Sequence, residues 1–205
     1  MGKALPRVVR LASVTSTQDV ARELPIGTIV VADHQEAGRG RAGRRWEAAP
    51  GTALLVSFVL RPNPVLSLAA GVAAAESCGP EVRLKWPNDL LTGERKVGGI
   101  LVEASPLRAV CGIGINLRSA PEGAAMLGQP ADELLARLTK KMDRWCSAPP
   151  EAVIGRWREL SATLGRRVRV DLPGESFEGV AQDIGDGGEL IVDGRAVVAG
   201  SVTHL

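Results

Sequence analysis

In the first half of the chain, apolar residues come in short β-rich runs rather than helical stripes. Val8–Ser13, Thr28–Asp33 (TIVVAD), Ala53–Leu60 (ALLVSFVL) and Val82–Trp86 each read as a strand, and TIVVAD is apolar enough to be a buried one. Val97–Ala104 and Arg108–Ile115 read as an antiparallel pair turning at Ser105-Pro106-Leu107. Two helices interrupt the strands. One is short, capped by Ser16 or Thr17 and stopped near Leu24 by Pro25. The other, Val65–Cys78, is alanine-rich and reads as buried. The stretch 34–45 is a polar, glycine-rich loop, and 118–130 is a second loop. Amphipathic helices follow at about 131–146 and 151–164. From Arg166 the rhythm shortens, and β runs alternate with turns at Pro173-Gly174, Asp186-Gly187-Gly188 and Asp193-Gly194, as in a small barrel or meander. A segment of ~40 residues is near the lower limit of independent folding and should lean on a larger domain. The predicted class is α+β, a mixed sheet with helices on one face, because strands and helices do not alternate as βαβ units. The predicted division is residues 1–163 and 164–205.

Composition narrows function more than fold. The 205 residues carry 25 Lys and Arg against 23 Asp and Glu, a net charge of +2, which demands no nucleic acid. No apolar run approaches the ~18 residues of a membrane span. The best candidate, Leu66–Cys78, is broken by Ser67, Gly71, Glu76 and Ser77. The opening MGKALPRVVR has no apolar signal region, and Pro6 spoils a myristoylation match at Gly2. These features predict a cytoplasmic protein without membrane attachment. Cys78, Cys111 and Cys146 lie more than thirty residues apart, which fits neither a disulfide framework nor a zinc site. The histidines are His34 and His204 alone, so a Ser-His-Asp triad or a Cys-His pair is poorly supplied. Catalysis should rest on Lys, Arg, Asp and backbone amides.

Four segments have the residue types for such chemistry. Gly38-Arg39-Gly40-Arg41-Ala42-Gly43 matches GxGxxG literally, but Arg44-Arg45-Trp46 and then Pro50-Gly51 follow where a dinucleotide site needs a helix. What remains is a glycine loop whose amides make an anion nest and whose arginines offer forked donors to phosphate or carboxylate. A solvated basic loop is the plain alternative. Lys85-Trp86-Pro87-Asn88-Asp89 ends a strand and presents an amide and a carboxylate, suited to a magnesium ion or to orienting a cation, or else simply to an Asx turn. In Arg95-Lys96-Val97-Gly98-Gly99, Lys96 enters a strand as a point charge within reach of a phosphoryl group, or as a snorkelling lysine. Gly112-Ile113-Gly114-Ile115-Asn116 clears one strand face for a flat ligand, or marks a bulge.

Taken in order, Ser16-Thr17-Gln18, HQEAGRGRAGRRW at 34–46, KWPND at 85–89, RKVGGIL at 95–101 and GIGIN at 112–116 closely resemble the biotin protein ligases. The resemblance runs from about residue 8 to residue 205, and its motifs are specific as a set. It implies the class II synthetase-like catalytic sheet of that family and an SH3-like C-terminal domain. It also implies a two-step reaction. The biotin carboxylate attacks the α-phosphate of ATP to give biotinyl-5′-AMP, and a lysine of the biotin carboxyl carrier protein of acetyl-CoA carboxylase then takes the biotinyl group.

By position in the motifs, Ser16, Thr17 and Gln35 would bond the biotin ureido group. Arg39 and Arg41 would hold carboxylate and phosphate, and Lys96 would meet the reacting oxygens. Asp89 would assist through magnesium or by orientation. Gly112 and Gly114 would line the biotin slot, and Trp46 would pack near the adenine. Gln18, Gly38, Gly40, Lys85, Asn88 and Asn116 complete the binding set, with Lys96, Arg41 and Asp89 as its catalytic members. The family's usual Asp-Ser-Thr-Asn is Thr15-Ser16-Thr17-Gln18 here, which loses a charge and lengthens an amide arm. Only about fifteen residues precede Ser16, too few for a helix-turn-helix, so the resemblance implies a ligase with no DNA partner. A homodimer paired through an exposed sheet edge stays open. A lipoate or octanoyl transferase of the same fold is a second reading, and an arginine-based nucleic-acid binder a third. The scarcity of aromatic residues, with no Tyr and two Phe, weighs against the last.

Overall fold

The computed structural model describes residues 6–205, so Gly2 lies outside the described residues. The elements are β1 (Arg7–Val14), α1 (Thr17–Arg22), β2 (Thr28–Gln35), β3 (Ala53–Leu60), α2 (Leu66–Cys78), β4 (Val82–Lys85), β5 (Asp89–Thr92), β6 (Arg95–Ala104), β7 (Ala109–Asn116), α3 (Ala131–Trp145), α4 (Pro150–Leu160), β8 (Arg167–Leu172), β9 (Glu175–Ile184), β10 (Leu190–Val192), β11 (Arg195–Val197) and β12 (Ser201–His204). They cluster into two compact units. One holds residues up to Pro62 with Lys96–Ala136, and the other holds Asn63–Arg95 with Arg137–Leu205.

In the first unit the strands run in the order β1-β2-β3-β7-β6. β1 and β2 pair in parallel and the other neighbours are antiparallel, so the sheet is mixed, as the pattern predicts. Parallel neighbours need a crossover, and α1 with its flanks supplies it. Ser16 is the N-cap, its Oγ accepting from the Gln18 amide at 3.4 Å. The helix buries Ala21 against Val30, Val59 and Val110, with Val9, Leu11, Val20 and Leu24 around them. β2 runs two residues beyond the expected strand. Its parallel register with β1 continues through Ser13↔His34 and Val14↔Gln35, which moves Gln35 from the predicted loop onto a strand end.

The second unit holds the β4–β5 hairpin, α2, α4 and a five-stranded antiparallel sheet in the order β11-β10-β9-β8-β12. This sheet takes up the β runs that the sequence places after Arg166, with turns where the sequence places them. Asp193 and Gly194 both take left-handed φ values (46° and 79°), the pair that a two-residue hairpin turn between β10 and β11 requires. β5 escapes the sequence pattern because Asp89-Leu90-Leu91-Thr92 has only two apolar residues after a turn-like Asn-Asp. α4 stops four residues before its predicted end. Ser161 leaves the helix to bridge Leu84, and its Oγ accepts from the amides of Thr163 and Leu164. α2 is buried on nearly every side, as its alanine content implies. Among the described residues no helix is long and apolar enough to cross a membrane.

Glu76 on α2 ties the helices of this unit. Its carboxylate accepts from Lys141 (2.7 Å), Trp145 Nε1 (3.1 Å) and Arg156 (2.9 Å) while its side chain is only 12% exposed. Burial pushes the carboxyl up, but the three hydrogen bonds outweigh burial and bring the pKa from 4.5 down to about 2. A depressed carboxyl pKa stabilises the fold above its unfolded value, and that stabilisation is lost as the pH falls through the folded value. Glu76→Gln should therefore cost about 1–3 kcal/mol near neutral pH, the partners being about one-third exposed. In urea unfolding series, the gap between variant and wild type should close as the pH falls from about 4.5 toward 2. A gap independent of pH would contradict this account.

Candidate functional site

Thr17 is the hub of a buried polar cluster in the first unit. Its amide (2.8 Å) and its hydroxyl (2.9 Å) both donate to Gln35 Oε1, so the end of β2 is joined to the start of α1. The same hydroxyl lies 2.8 Å from Ser57 Oγ on β3. Ser57 is fully buried and donates onward to Gln18 Oε1 at 3.2 Å. Gln18 Nε2 then donates to the Leu101 carbonyl (3.3 Å) and to Glu103 (3.1 Å), both on β6. Ser16, Thr17, Gln18 and Gln35 are thus brought together as the sequence reading expects. Ser57 and Glu103 complete the cluster and are absent from that reading. The available signal for Ser57 was a lone hydroxyl inside ALLVSFVL, and for Glu103 a lone carboxylate at the end of KVGGILVEA.

The glycines of β6 and β7 make room for the protein's own side chains. A Cβ at Gly112 would sit 3.1 Å from Gln18 Cδ, and one at Gly114 would sit 2.5 Å from Trp46 Cε2. A Cβ at Gly99 would sit 3.3 Å from Lys96 Nζ and 3.5 Å from the Trp46 ring. Trp46 therefore lies against Gly99 and Gly114, with the Lys96 ammonium 5.8 Å from its ring centre. The indole Nε1–H is shielded from solvent and has no acceptor. Asn116 stands apart from both clusters. Its buried amide donates to the Ala125 carbonyl at 3.0 Å, and the Ala125 amide donates to the Lys96 carbonyl at 2.8 Å, which pins the 118–130 loop.

The arginine loop closes on itself as a small hairpin. Arg39 and Arg45 form a bridge, the Gly40 amide donates to Arg44 O (2.7 Å), and the Trp46 amide donates to Gly38 O (2.9 Å). A Cβ at Gly38 would strike the Trp46 carbonyl, so glycine is needed for this close approach. A 3-10 turn at Arg41–Gly43 forms the tip, where Ala42 adopts the left-handed region at φ 53°. The loop, with Thr15 and with Leu101–Glu103 of β6, lines a cavity of about 650 Å³. Arg39 and Arg41 both face this cavity. Arg39 pairs with Asp19 at 2.6 Å and with Glu103 at 3.5 Å.

Lys85, Asn88 and Asp89 belong to the second unit, on the β4–β5 hairpin. Lys85 and Asp89 are register partners, and Trp86, Pro87 and Asn88 connect the strands. The buried Trp86 anchors the hairpin, its amide donating to Thr163 Oγ1 (3.1 Å) and its indole to the Gly188 carbonyl (3.0 Å). Among the described residues no group of three or more His, Cys, Asp or Glu side chains is placed to hold a metal ion. Burial pushes the Cys78 and Cys146 thiols up to about 12, so neither is a ready nucleophile.

The arrangement sets a buried hydrogen-bonded polar cluster beside a cationic, glycine-built loop. Residues 8–118 match the model of the biotin/lipoate A/B protein ligase family, and residues 163–205 match that of the biotin protein ligase C-terminal domain. A biotin–[acetyl-CoA-carboxylase] ligase of Mycobacterium tuberculosis is 38% identical over 87% of this chain and 79% of its own length. The biotin protein ligase of Aquifex aeolicus, solved with biotin and ATP, superposes with a TM-score of 0.82 at 28% identity, covering 97% of this chain and 98% of that one. That of Leishmania major, solved with biotinyl-5-AMP, gives 0.70 at 28% identity and 98% of both chains. On the extent of these matches across the mixed sheet and the C-terminal sheet alike, the chain belongs to the biotin/lipoate A/B protein ligase family and is a ligase of its biotin protein ligase branch.

Proposed function

We propose that this ligase joins biotin to ATP as biotinyl-5′-AMP and then passes the biotinyl group to a lysine of the biotin carboxyl carrier protein of acetyl-CoA carboxylase, in the cytoplasm. The observation that carries the reading is the Gln35–Thr17–Ser57–Gln18 cluster lying next to the Arg39–Arg41 loop. A ureido group needs donors and acceptors together, and Ser16, Thr17, Gln18 and Gln35 supply both. Gly112 and Gly114 let Gln18 and Trp46 close on the strands and so shape the slot. Trp46, whose buried indole N–H has no acceptor, would pack near the adenine, and Gly38 and Gly40 give the loop its close backbone turns.

In the first step a biotin carboxylate oxygen bonds to the α-phosphorus, and the bond from that phosphorus to the bridging oxygen of pyrophosphate breaks. Like charges converge in this step. Arg39, Arg41 and Lys96 offset the repulsion as the transition state forms. In the second step a lysine amine bonds to the biotinyl carbonyl carbon, AMP leaves with the electron pair of the anhydride bond, and the amine loses a proton. Closing the arginine loop over the mixed anhydride excludes water from it. Asp89 offers a single carboxylate, which suits a magnesium ion that keeps substrate phosphates and water as its other ligands. Lys85 and Asn88 flank it with a cation and an amide. When bound, magnesium would neutralise phosphate charge.

Exchange of pyrophosphate into ATP should depend on added biotin and should not appear with lipoate in its place. Exchange with lipoate instead would assign the chain to the family's other branch. Lys96→Met should keep the fold by circular dichroism and slow biotin-dependent exchange by a factor on the order of 10²–10³, as for loss of one electrostatic partner of the transition state. Unchanged exchange would remove Lys96 from the chemistry. Arg41→Gly should still form the adenylate but release it, because paired charge-assisted hydrogen bonds of ~1.5–3 kcal/mol each are lost. Streptavidin blots should then show serum albumin labelled by the variant and only the carrier domain labelled by the wild type. Carrier-only labelling by the variant would shift retention to Arg39.

A further inference from the structure

The hydrogen-bonded chain that begins at Gln35 ends on a carboxylate of β6. It passes through Thr17, Ser57 and Gln18 to the Glu103 carboxylate. Glu103 in turn faces two guanidinium groups, Arg22 at 2.8 Å and Arg39 at 3.5 Å. Asp19 completes the group, 2.6 Å from Arg39 and 3.3 Å from Arg22. Two carboxylates thus occupy the guanidinium that, on the reading above, must receive the substrate's carboxylate and phosphate. They do not satisfy it. Arg39 Nε and Nη2 are shielded from solvent and have no hydrogen-bond acceptor, and Glu103 stands too far from Nη2 to serve as one. A guanidinium held by charge but short of acceptors can exchange partners at little cost, because an incoming anion supplies the missing bonds.

We propose that Glu103 is a positioning residue for adenylation. With Asp19, which is closer, it is one of two resting counter-ions of Arg39; it is aligned by Gln18 from the polar cluster, and it yields the guanidinium when the reacting anions arrive. The inference rests on the biotin-activation reading and deepens it. Glu103 acts through Arg39. Both line the 650 Å³ cavity, and at 3.5 Å the Glu103 carboxylate competes by charge with the nucleotide's phosphates for Arg39. A purely architectural Glu103, pinning α1 to β6 through Gln18 and Arg22, makes a different prediction. Its loss would loosen α1 and raise the KM for biotin, with no dependence on Arg39.

The test is Glu103→Gln in the full chain, which keeps an acceptor for Gln18 Nε2 and Arg22 but removes the competing charge. In biotin-dependent pyrophosphate exchange, the KM for ATP should fall roughly two- to fivefold, the range for a part-exposed ion pair. The KM for biotin should stay within a factor of about two, and in an Arg39→Ala background the same substitution should leave the KM for ATP unchanged. An unchanged or raised KM for ATP, or an equal fall in the Arg39→Ala background, overturns the proposal. If Glu103→Gln does not fold, Asp19→Asn removes the other carboxylate without touching the Gln18 chain. It should lower the KM for ATP in the same way, and a KM for ATP that does not fall overturns the proposal. A wild-type protein without biotin-dependent exchange overturns the biotin-activation reading itself, and this inference with it.

Discussion

Thr17 carries two hydrogen bonds to Gln35 and one contact with Ser57, and the first unit is arranged around that point. β1 and β2 are parallel, so the chain must cross over between them, and α1 is a crossover of only six helical residues. Such a short helix has little intrinsic stability. Its apolar face, centred on Ala21, supplies burial, while Thr17 and the Ser16 cap fix where the helix begins. The position of α1 sets where Gln18, Asp19 and Arg22 start from. Gln18 lies over Gly112, and Asp19 and Arg22 meet Arg39 and Glu103.

Close packing against glycine is the second recurring device. β6 and β7 give up side chains at Gly99, Gly112 and Gly114, and Gln18, Trp46 and Lys96 come down onto the vacated backbone. An indole on backbone with an ammonium near its face is held by dispersion and by cation–π attraction. Gln18 belongs to the same geometry. Its amide spans from Ser57 to both Leu101 and Glu103, linking the hydroxyl cluster to a charged group.

Charge is used differently in the two units. In the second unit, Glu76 is sunk among Lys141, Trp145 and Arg156, each of its bonds is made, and the depressed pKa records that satisfaction. In the first unit, Arg39 is only partly satisfied, with two donors left unmet. A buried ionic group with every bond made supports a fold, whereas one with bonds missing can be recruited by a ligand.

The sequence by itself determined most of the secondary structure, because burial on one or both faces writes a period into the chain. ALLVSFVL, the alanine-rich α2, and the turns at Pro173-Gly174 and Asp193-Gly194 all appear where the pattern puts them. It also marked GRGRAGRRW and RKVGGIL as candidate segments, and these hold Arg39, Arg41, Trp46 and Lys96 of the first unit. Tertiary structure alone decided the rest. Whether Gln35 ends a strand depended on its register with β1, and β5 depended on a partner strand, neither of which is local information. That the paired glycines admit Gln18 and Trp46 follows from the sheet order, which sets β6 beside β7. The role of Glu103 was the least visible, because its partners Gln18, Arg22 and Arg39 lie 85, 81 and 64 positions away, and only folding sets their charges within ion-pair reach.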